Sequence, residues 1–387
     1  MKKFLAFVMA ASMALSLAAC GGSSASTATS TTTEATSEAA ASTSGSKTDV
    51  AFVTDVGNID DQSFNQYTWQ GVQDFCSANS LNANYYRPTE DSDAARLEQM
   101  DNAVNDGAKS IVVAGYLFGS AIAEAQEKYP DVQFLALDVS TADLGDKAPT
   151  SNTALITYKE EQAGYLAGYA AVTDGYKELG FLGGMAVPAV IRYGYGFVQG
   201  ADAAAAELGQ NIEINYFYGG QFYGDANITS RMEGWYSNGT QVVFACGGGI
   251  YTSAVEAALK NNGYVIGVDV DQNYIGANGV ADGTYAYNPF ITSAMKGLSE
   301  AVNTALADIE AGSWADIAGS NGNFGLEDGD YIGLPTDADS WNFESFTTDE
   351  YEEVKGKIKS GEITVDNSSD DATKPTVSEF TTVNYIQ

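Results

Sequence analysis

Histidine is absent from this sequence. That removes the Ser–His–Asp and Cys–His catalytic arrangements and every histidine metal site. No metal and no cofactor are expected. Paired carboxylates can still perform glycosidase-type chemistry, so an enzyme stays open as an alternative. Basic residues are scarce, 18 Lys and Arg against 51 Asp and Glu. So acidic a chain is a poor partner for nucleic acid or for an anionic lipid surface, although net charge says little about the charge of a small-ligand site. Cysteine occurs three times, as Cys20, Cys76 and Cys246. Cys76 falls in a helical pattern and Cys246 ends an apolar run far away, which describes buried free thiols rather than a disulfide framework.

The N-terminus carries Lys2 and Lys3, an apolar run from Phe4 to Leu15, and Leu17-Ala18-Ala19-Cys20. The run is shorter than the roughly 20 residues a membrane span needs. A charged start, an apolar middle and small residues before a cleavage point make residues 1–19 a signal peptide. The last four residues are similar to a bacterial lipobox, in which Cys20 is lipidated and becomes the mature N-terminus. Acyl chains would then hold the protein at the outer face of the cell membrane. Residues 23–47 are almost entirely Ser, Thr, Ala, Gly and Glu. They cannot build a core and read as part of a flexible tether over 20–48.

The remainder alternates short apolar runs with helical patterns. Strands are expected at 50–54, 83–87, 110–114, 132–138, 155–158, 179–183, 212–218, 241–245 and 265–269. Helices are expected at 63–78, 93–105, 120–128, 160–172, 190–208, 225–235 and 252–261. This rhythm predicts an α/β protein with parallel, doubly wound sheets covered on both faces. Its length suggests two lobes. Ligands of such sheets bind at the carboxyl ends of the strands. Asp55, Asp138, Gly183-Gly184, Gly247-Gly248-Gly249 and Asp269 all fall there. Asp and Gly also punctuate ordinary turns, which accounts for any one of them more easily than for the set.

Each candidate has a chemistry. The carboxylates of Asp55, Asp138 and Asp269 can clamp a vicinal diol or accept an N–H from a base edge. Asn65 offers both a donor and an acceptor. Phe64, Tyr193 and Phe222 can sandwich a flat ring, with stacking worth roughly 1–3 kcal/mol per base. Gly247 and Gly248 let backbone amides approach a ligand. Lys296, in a stretch read as opening a helix, can donate to a sugar hydroxyl. Helix core is the competing role for Phe64 and Trp69, and solvated surface the competing role for Lys296.

Several blocks carry a resemblance beyond composition: Ile59-Asp60-Asp61-Gln62-Ser63-Phe64-Asn65-Gln66, Phe134-Leu135-Ala136-Leu137-Asp138, Glu160 to Gly168, Gly183 to Pro188, Gly196 to Gly200, Phe244 to Gly249, and Gly267-Val268-Asp269-Val270-Asp271-Gln272. Together they resemble the basic membrane protein family, purine nucleoside-binding lipoproteins of ABC importers. The resemblance implies the type I periplasmic-binding-protein fold, two α/β lobes joined by three crossings. It implies that Asp55, Asn65 and Asp138 address the base between Phe64 and Phe222. Asp269, Lys296 and a glycine of 247–249 would hold the ribose. It further implies a purine nucleoside as ligand, an ABC permease with its ATPase subunits as partners, and a monomer without catalytic activity. The lobes are expected at 49–154 plus about 274–312 and at 155–273 plus about 313–387. Crossings are placed near 152–158, 269–277 and 312–323. The alternatives are a type I binding protein for a sugar or another small ligand, and a nucleoside-cleaving enzyme. The calcium-binding aspartate motif of nucleoside hydrolases needs an acid where Val53 stands, and their catalytic histidine has no counterpart here.

Overall fold

The computed structural model describes residues 47–387. The signal peptide, Cys20 and nearly all of the tether lie outside the described residues. Strands β1 (Val50–Val53), β2 (Ala83–Tyr86), β3 (Ser110–Ala114), β4 (Gln133–Leu137) and β5 (Thr153–Tyr158) alternate with helices α1 (Phe64–Asn79), α2 (Asp93–Asn105) and α3 (Gly119–Lys128). Then come α4 (Glu160–Thr173), β6 (Glu178–Gly183), α5 (Pro188–Leu208), β7 (Ile212–Tyr218), α6 (Ala226–Ser237), β8 (Val242–Cys246), α7 (Tyr251–Asn261), β9 (Tyr264–Asp269) and α8 (Asn273–Ala281). The chain closes with β10 (Phe290–Lys296), α9 (Leu298–Ala311), β11 (Ser320–Phe324), β12 (Ile332–Gly333), α10 (Thr348–Lys359) and β13 (Thr381–Ile386). β1, β3 and β8 are buried at every position, as apolar strands covered on both faces must be.

Two sheets result, in the orders β11-β5-β4-β3-β1-β2 and β12-β10-β9-β8-β6-β7-β13. All pairings are parallel except β10 with β12. Without the added edge strands the two orders are the same, so β6–β10 repeat the path of β1–β5. The equivalence was invisible as a sequence repeat because few side chains are shared. Two short features do recur. A glycine with positive φ follows the third strand of each lobe, Gly115 at 121° and Gly247 at 149°. An aspartate in the left-handed region ends or follows the fourth, Asp138 at 55° and Asp269 at 68°. Left-handed backbone at an aspartate is uncommon and costs energy. Both lobes hold it at the edge where they face each other.

The sequence assignment of lobes needs correcting. The strand containing residues 290–296 pairs with β9 in the second sheet, and β11 pairs with β5 in the first. Between them α9 returns to the first lobe, where Ser299 Oγ donates to the Tyr67 carbonyl of α1 at 2.7 Å. The three crossings lie at Lys159, Gly297 and Gly325, between β5 and α4, β10 and α9, and β11 and β12. The first and third adjoin their expected places. The second is some twenty residues later than expected, because β9 and β10 are neighbours in one sheet and the chain stays in that lobe between them. The crossings are tied together: Lys159 N donates to Phe324 O at 2.8 Å, and Tyr158 Oη to Gly297 O at 3.4 Å. Cys76 and Cys246 are buried and unpaired among the described residues, and Trp69 stacks on Phe52 in the core at 6.1 Å.

Candidate functional site

The carboxyl edges of the two sheets meet across a cavity of about 620 Å³, counting the part open to solvent. All ten residues singled out from the sequence line it.

The first lobe supplies one polar group. Asp55 lies two residues beyond β1, and its Oδ1 accepts from Gly57 N at 2.7 Å and from Asn65 Nδ2 at 3.1 Å. Asp61, which also lines the cavity, does the capping at the start of α1. It accepts from the backbone N–H groups of Ser63, Asn65 and Gln66 at 2.9, 3.0 and 3.1 Å, and from Asn65 Nδ2 at 3.2 Å. With both amide hydrogens engaged by carboxylates, Asn65 presents its Oδ1 as an acceptor. That atom has no partner among the described residues.

The second polar group joins the lobes. Lys296 is the last residue of β10, not part of a helix, and it is buried rather than solvated. Strand alternation and its position beside the end of β9 aim it inward, which the helical reading had concealed. Its Nζ lies 2.5 Å from Asp138 Oδ2, 3.5 Å from Glu160 Oε1 and 3.8 Å from Asp269 Oδ1. It also sits 4.6 Å from the centroid of the Phe64 ring and 5.8 Å from that of Tyr193, within cation–π range. Glu160, at the first turn of α4, takes a 2.7 Å hydrogen bond from Arg192 Nε of α5. The other oxygen of Asp138 and the hydroxyl of Tyr193 are buried without a partner among the described residues.

The aromatic walls come from opposite lobes. Phe64 opens α1, and Phe222 sits in the loop between β7 and α6. The Phe222 ring lies on bare backbone: a Cβ added at Gly184 or Gly247 would come 2.5 or 3.1 Å from its Cδ1. Val187, Val190 and Leu117 make an apolar side that the sequence reading missed. Applying the strand-end rule to the loops after β3 and β6, as it was applied to the aspartates, would have found them.

Burial sets the ionisation. It pushes Asp61 and Asp138 up to about 6, the latter against the pull of Lys296. Glu161, beside Glu160, is pushed up to about 7, first by burial and then by that neighbour. Asp55 and Asp269 rise for the same first reason. Burial pulls Lys296 down, but Asp138, Asp269 and Glu160 outweigh it and hold the ammonium above the ordinary lysine value. Burial likewise acts against Glu160, where Arg192 and Lys296 prevail and keep it below its ordinary value.

Asp61, Asp138 and Glu161 thus hold protons more firmly folded than unfolded, where 3.8 and 4.5 apply. Folding stability should fall as pH rises from about 4 to about 7, by ~2–3 kcal/mol for each of Asp61 and Asp138 across the whole window. The free protein is expected to melt lower at about pH 7.5 than at about pH 5, and Asp138→Asn should shrink the difference. Calorimetric scans in matched ionic strength check this. A melting point that rises with pH would mean that these carboxyls ionise as they do in water.

A family model described as Bmp, ABC transporter substrate-binding protein PnrA-like, matches residues 48–369. The chain is similar to the CD4+ T-cell-stimulating antigen of Listeria innocua serovar 6a, at 31% identity over 82% of this chain and 87% of that protein. It is similar to the ABC transporter nucleoside-binding protein BmpA of Lactococcus lactis subsp. cremoris, at 30% identity over 62% of this chain and 70% of that protein. A solved ABC transporter solute-binding protein from Aeropyrum pernix K1 shares the fold, with a TM-score of 0.69 at 22% identity, covering 84% of this chain and 95% of the other.

Proposed function

The chain belongs to the Bmp family of PnrA-like ABC transporter substrate-binding proteins, and from that premise we propose that it binds purine nucleosides between its lobes and delivers them to an ABC permease. The observation that carries this reading is a set of buried atoms without a partner among the described residues, on three residues that line one cavity: Asn65 Oδ1, Asp138 Oδ1 and the Tyr193 hydroxyl. A buried polar atom left without a partner costs about 1–3 kcal/mol, so a ligand rich in N–H and O–H groups gains by supplying one. Phe64 and Phe222 suit a flat heteroaromatic ring. In this assignment Asp55, Asn65 and Asp138 take the base, while Asp269, Lys296 and the backbone of Gly247 and Gly248 take the ribose. Lys296, bonded to Asp138 and near Asp269, couples the two ends.

The electrostatics favour a neutral ligand. Four carboxyl groups line the cavity, Asp55, Asp61, Asp138 and Asp269, against the single ammonium of Lys296. A phosphate there would be repelled, so nucleosides rather than nucleotides fit. The nucleoside named for the Lactococcus relative points the same way. We assign Cys20 as the lipid anchor at the extracytoplasmic face on the strength of Leu17-Ala18-Ala19-Cys20 alone.

Titration calorimetry after unfolding and refolding, which strips carried-over ligand, tests the reading. Adenosine, guanosine and inosine should bind tightly and one to one. Ribose, free bases and the monophosphates should bind weakly, and the nucleoside should be recovered intact. Asp138→Ala should erase discrimination between bases. Tight binding of a bare sugar, or unchanged binding by Asp138→Ala, would overturn the assignment.

A further inference from the structure

The two most distinctive motifs of the sequence, residues 59–66 and 267–272, meet across the mouth of the cleft, and their meeting does something the ligand contacts do not. Gln62 lies in the first lobe and does not line the cavity. Its carbonyl oxygen accepts from Gln272 Nε2 of the second lobe at 3.0 Å. Its side-chain Oε1 accepts from the hydroxyl of Tyr274, also of the second lobe. Next to it, Ser63 Oγ donates to Asp269 Oδ2 at 2.5 Å.

Both halves are built in advance. Gln62 holds a left-handed backbone, φ 55°, which turns its carbonyl outward. Its backbone N–H and side-chain Nε2 both donate to Gln66 Oε1, at 3.1 and 2.8 Å. Opposite, Gln272 is fully buried. Its Oε1 accepts from Val268 N at 3.1 Å, and its backbone N–H donates to Ser293 Oγ at 3.0 Å. Neither half needs a ligand to be in place.

We infer that Gln62, with Gln272 and Tyr274, forms a latch that holds the lobes shut independently of the ligand and so sets how long a bound molecule stays. These are positioning residues: they touch the other lobe rather than the cargo. Recognition and residence are then separate properties. The cavity decides what binds, and the latch decides how fast it leaves. Any partner that draws the ligand out must first part Gln62 from Gln272 and Tyr274. A ligand-independent bias toward closure also means that the free protein spends part of its time closed.

This rests on the proposed function only in needing some ligand between the lobes. Two mild variants test it. Tyr274→Phe removes one hydroxyl from a half-buried ring. Gln62→Asn keeps a residue that tolerates the left-handed region but shortens its reach. Stopped-flow displacement of a bound purine nucleoside should show release faster by roughly three- to tenfold per lost hydrogen bond. Association should be no slower than in the parent, because more of the free protein stands open, and the ranking among nucleosides should not change. The double variant should release little faster than Gln62→Asn alone, since both remove the same bond. Small-angle scattering of the free variants should show a larger radius of gyration than the parent. Unchanged release and unchanged scattering would overturn the latch, as would altered ranking among nucleosides. If no nucleoside binds the parent, the functional reading fails while the scattering comparison still decides the latch.

Discussion

Lys296→Met is expected to abolish ligand binding and to lower folding stability by ~3–5 kcal/mol at neutral pH, the usual cost of removing one partner from a buried ion pair. The side chain is 4% exposed and has three carboxylates within 3.8 Å. Methionine fills a similar volume but leaves Asp138, Asp269 and Glu160 buried with like charges as neighbours. Arg192 still serves Glu160 at 2.7 Å, so the burden falls on the two aspartates, each already raised by burial. They would take up protons, and the loss should shrink as pH falls toward 5. Adding Asp138→Asn should recover part of the stability by removing one stranded charge. It should not recover binding, because the ammonium that couples the two ends of the cavity is still missing. Denaturant titrations at two pH values and calorimetry of ligand binding check both arms. A Lys296→Met protein as stable as the parent would mean that Lys296 carries no net charge in the fold.

Much of this site could be read in the sequence because one rule generated it. Apolar strands such as Ser110–Ala114 and Ile212–Tyr218 announce themselves, and whatever follows such a strand in a parallel sheet lies on the ligand edge. Asp55, Asp138, Gly247 and Asp269 were found that way, and the fold class with them. The elements that were missed lack the local signal. Phe290–Lys296 runs Phe-Ile-Thr-Ser-Ala-Met-Lys into a genuine helix from Leu298. Its second half therefore reads as the first turn of that helix, and only the free edge of β9 makes it a strand. Ser320–Phe324 is Ser-Asn-Gly-Asn-Phe, poor in every strand-forming residue, and pairs because β5 offers it an edge. The second crossing was misplaced for the same reason. A turn within a lobe and a turn between lobes look alike in one dimension, and only sheet membership separates Asp269 from Gly297. Asp61 was visible in its motif but not its role, since three of its bonds are to backbone N–H groups of the helix it starts. The latch could not be seen at all, because it joins residues 210 and 212 positions apart.

Gly164→Ala should both destabilise the protein and weaken ligand binding, whereas Gly168→Ala, four residues on, should destabilise it alone. Helices α4 and α5 approach until their backbones touch. A Cβ at Gly164 would lie 2.1 Å from Tyr193 O, and one at Gly168 2.1 Å from Phe197 O. The reverse holds on α5, where Gly196 would strike Glu161 O at 2.1 Å and Gly200 would strike Tyr165 O at 1.9 Å. These neighbours are main-chain atoms and cannot swing aside, so a single methyl must push the helices apart. Overpacking of this kind costs about 1–3 kcal/mol, sometimes more. The difference between the two positions lies in what α5 carries at each level. Beside Gly164 it carries Tyr193 of the cavity wall and Arg192, which holds Glu160. Beside Gly168 it carries Phe197, which packs on Phe244 in the core. Gly234 of α6 supplies the control, since a Cβ there meets nothing within 4 Å and alanine should stabilise its helix by up to ~1 kcal/mol. Thermal melts of the three variants, read beside their ligand affinities, separate the effects. Equal loss of affinity at Gly164 and Gly168 would mean that α5 moves as a rigid rod. Loss at Gly164 alone would show that the glycine contact fixes the local placement of Tyr193 and, through Arg192, the charge of Glu160 facing Lys296.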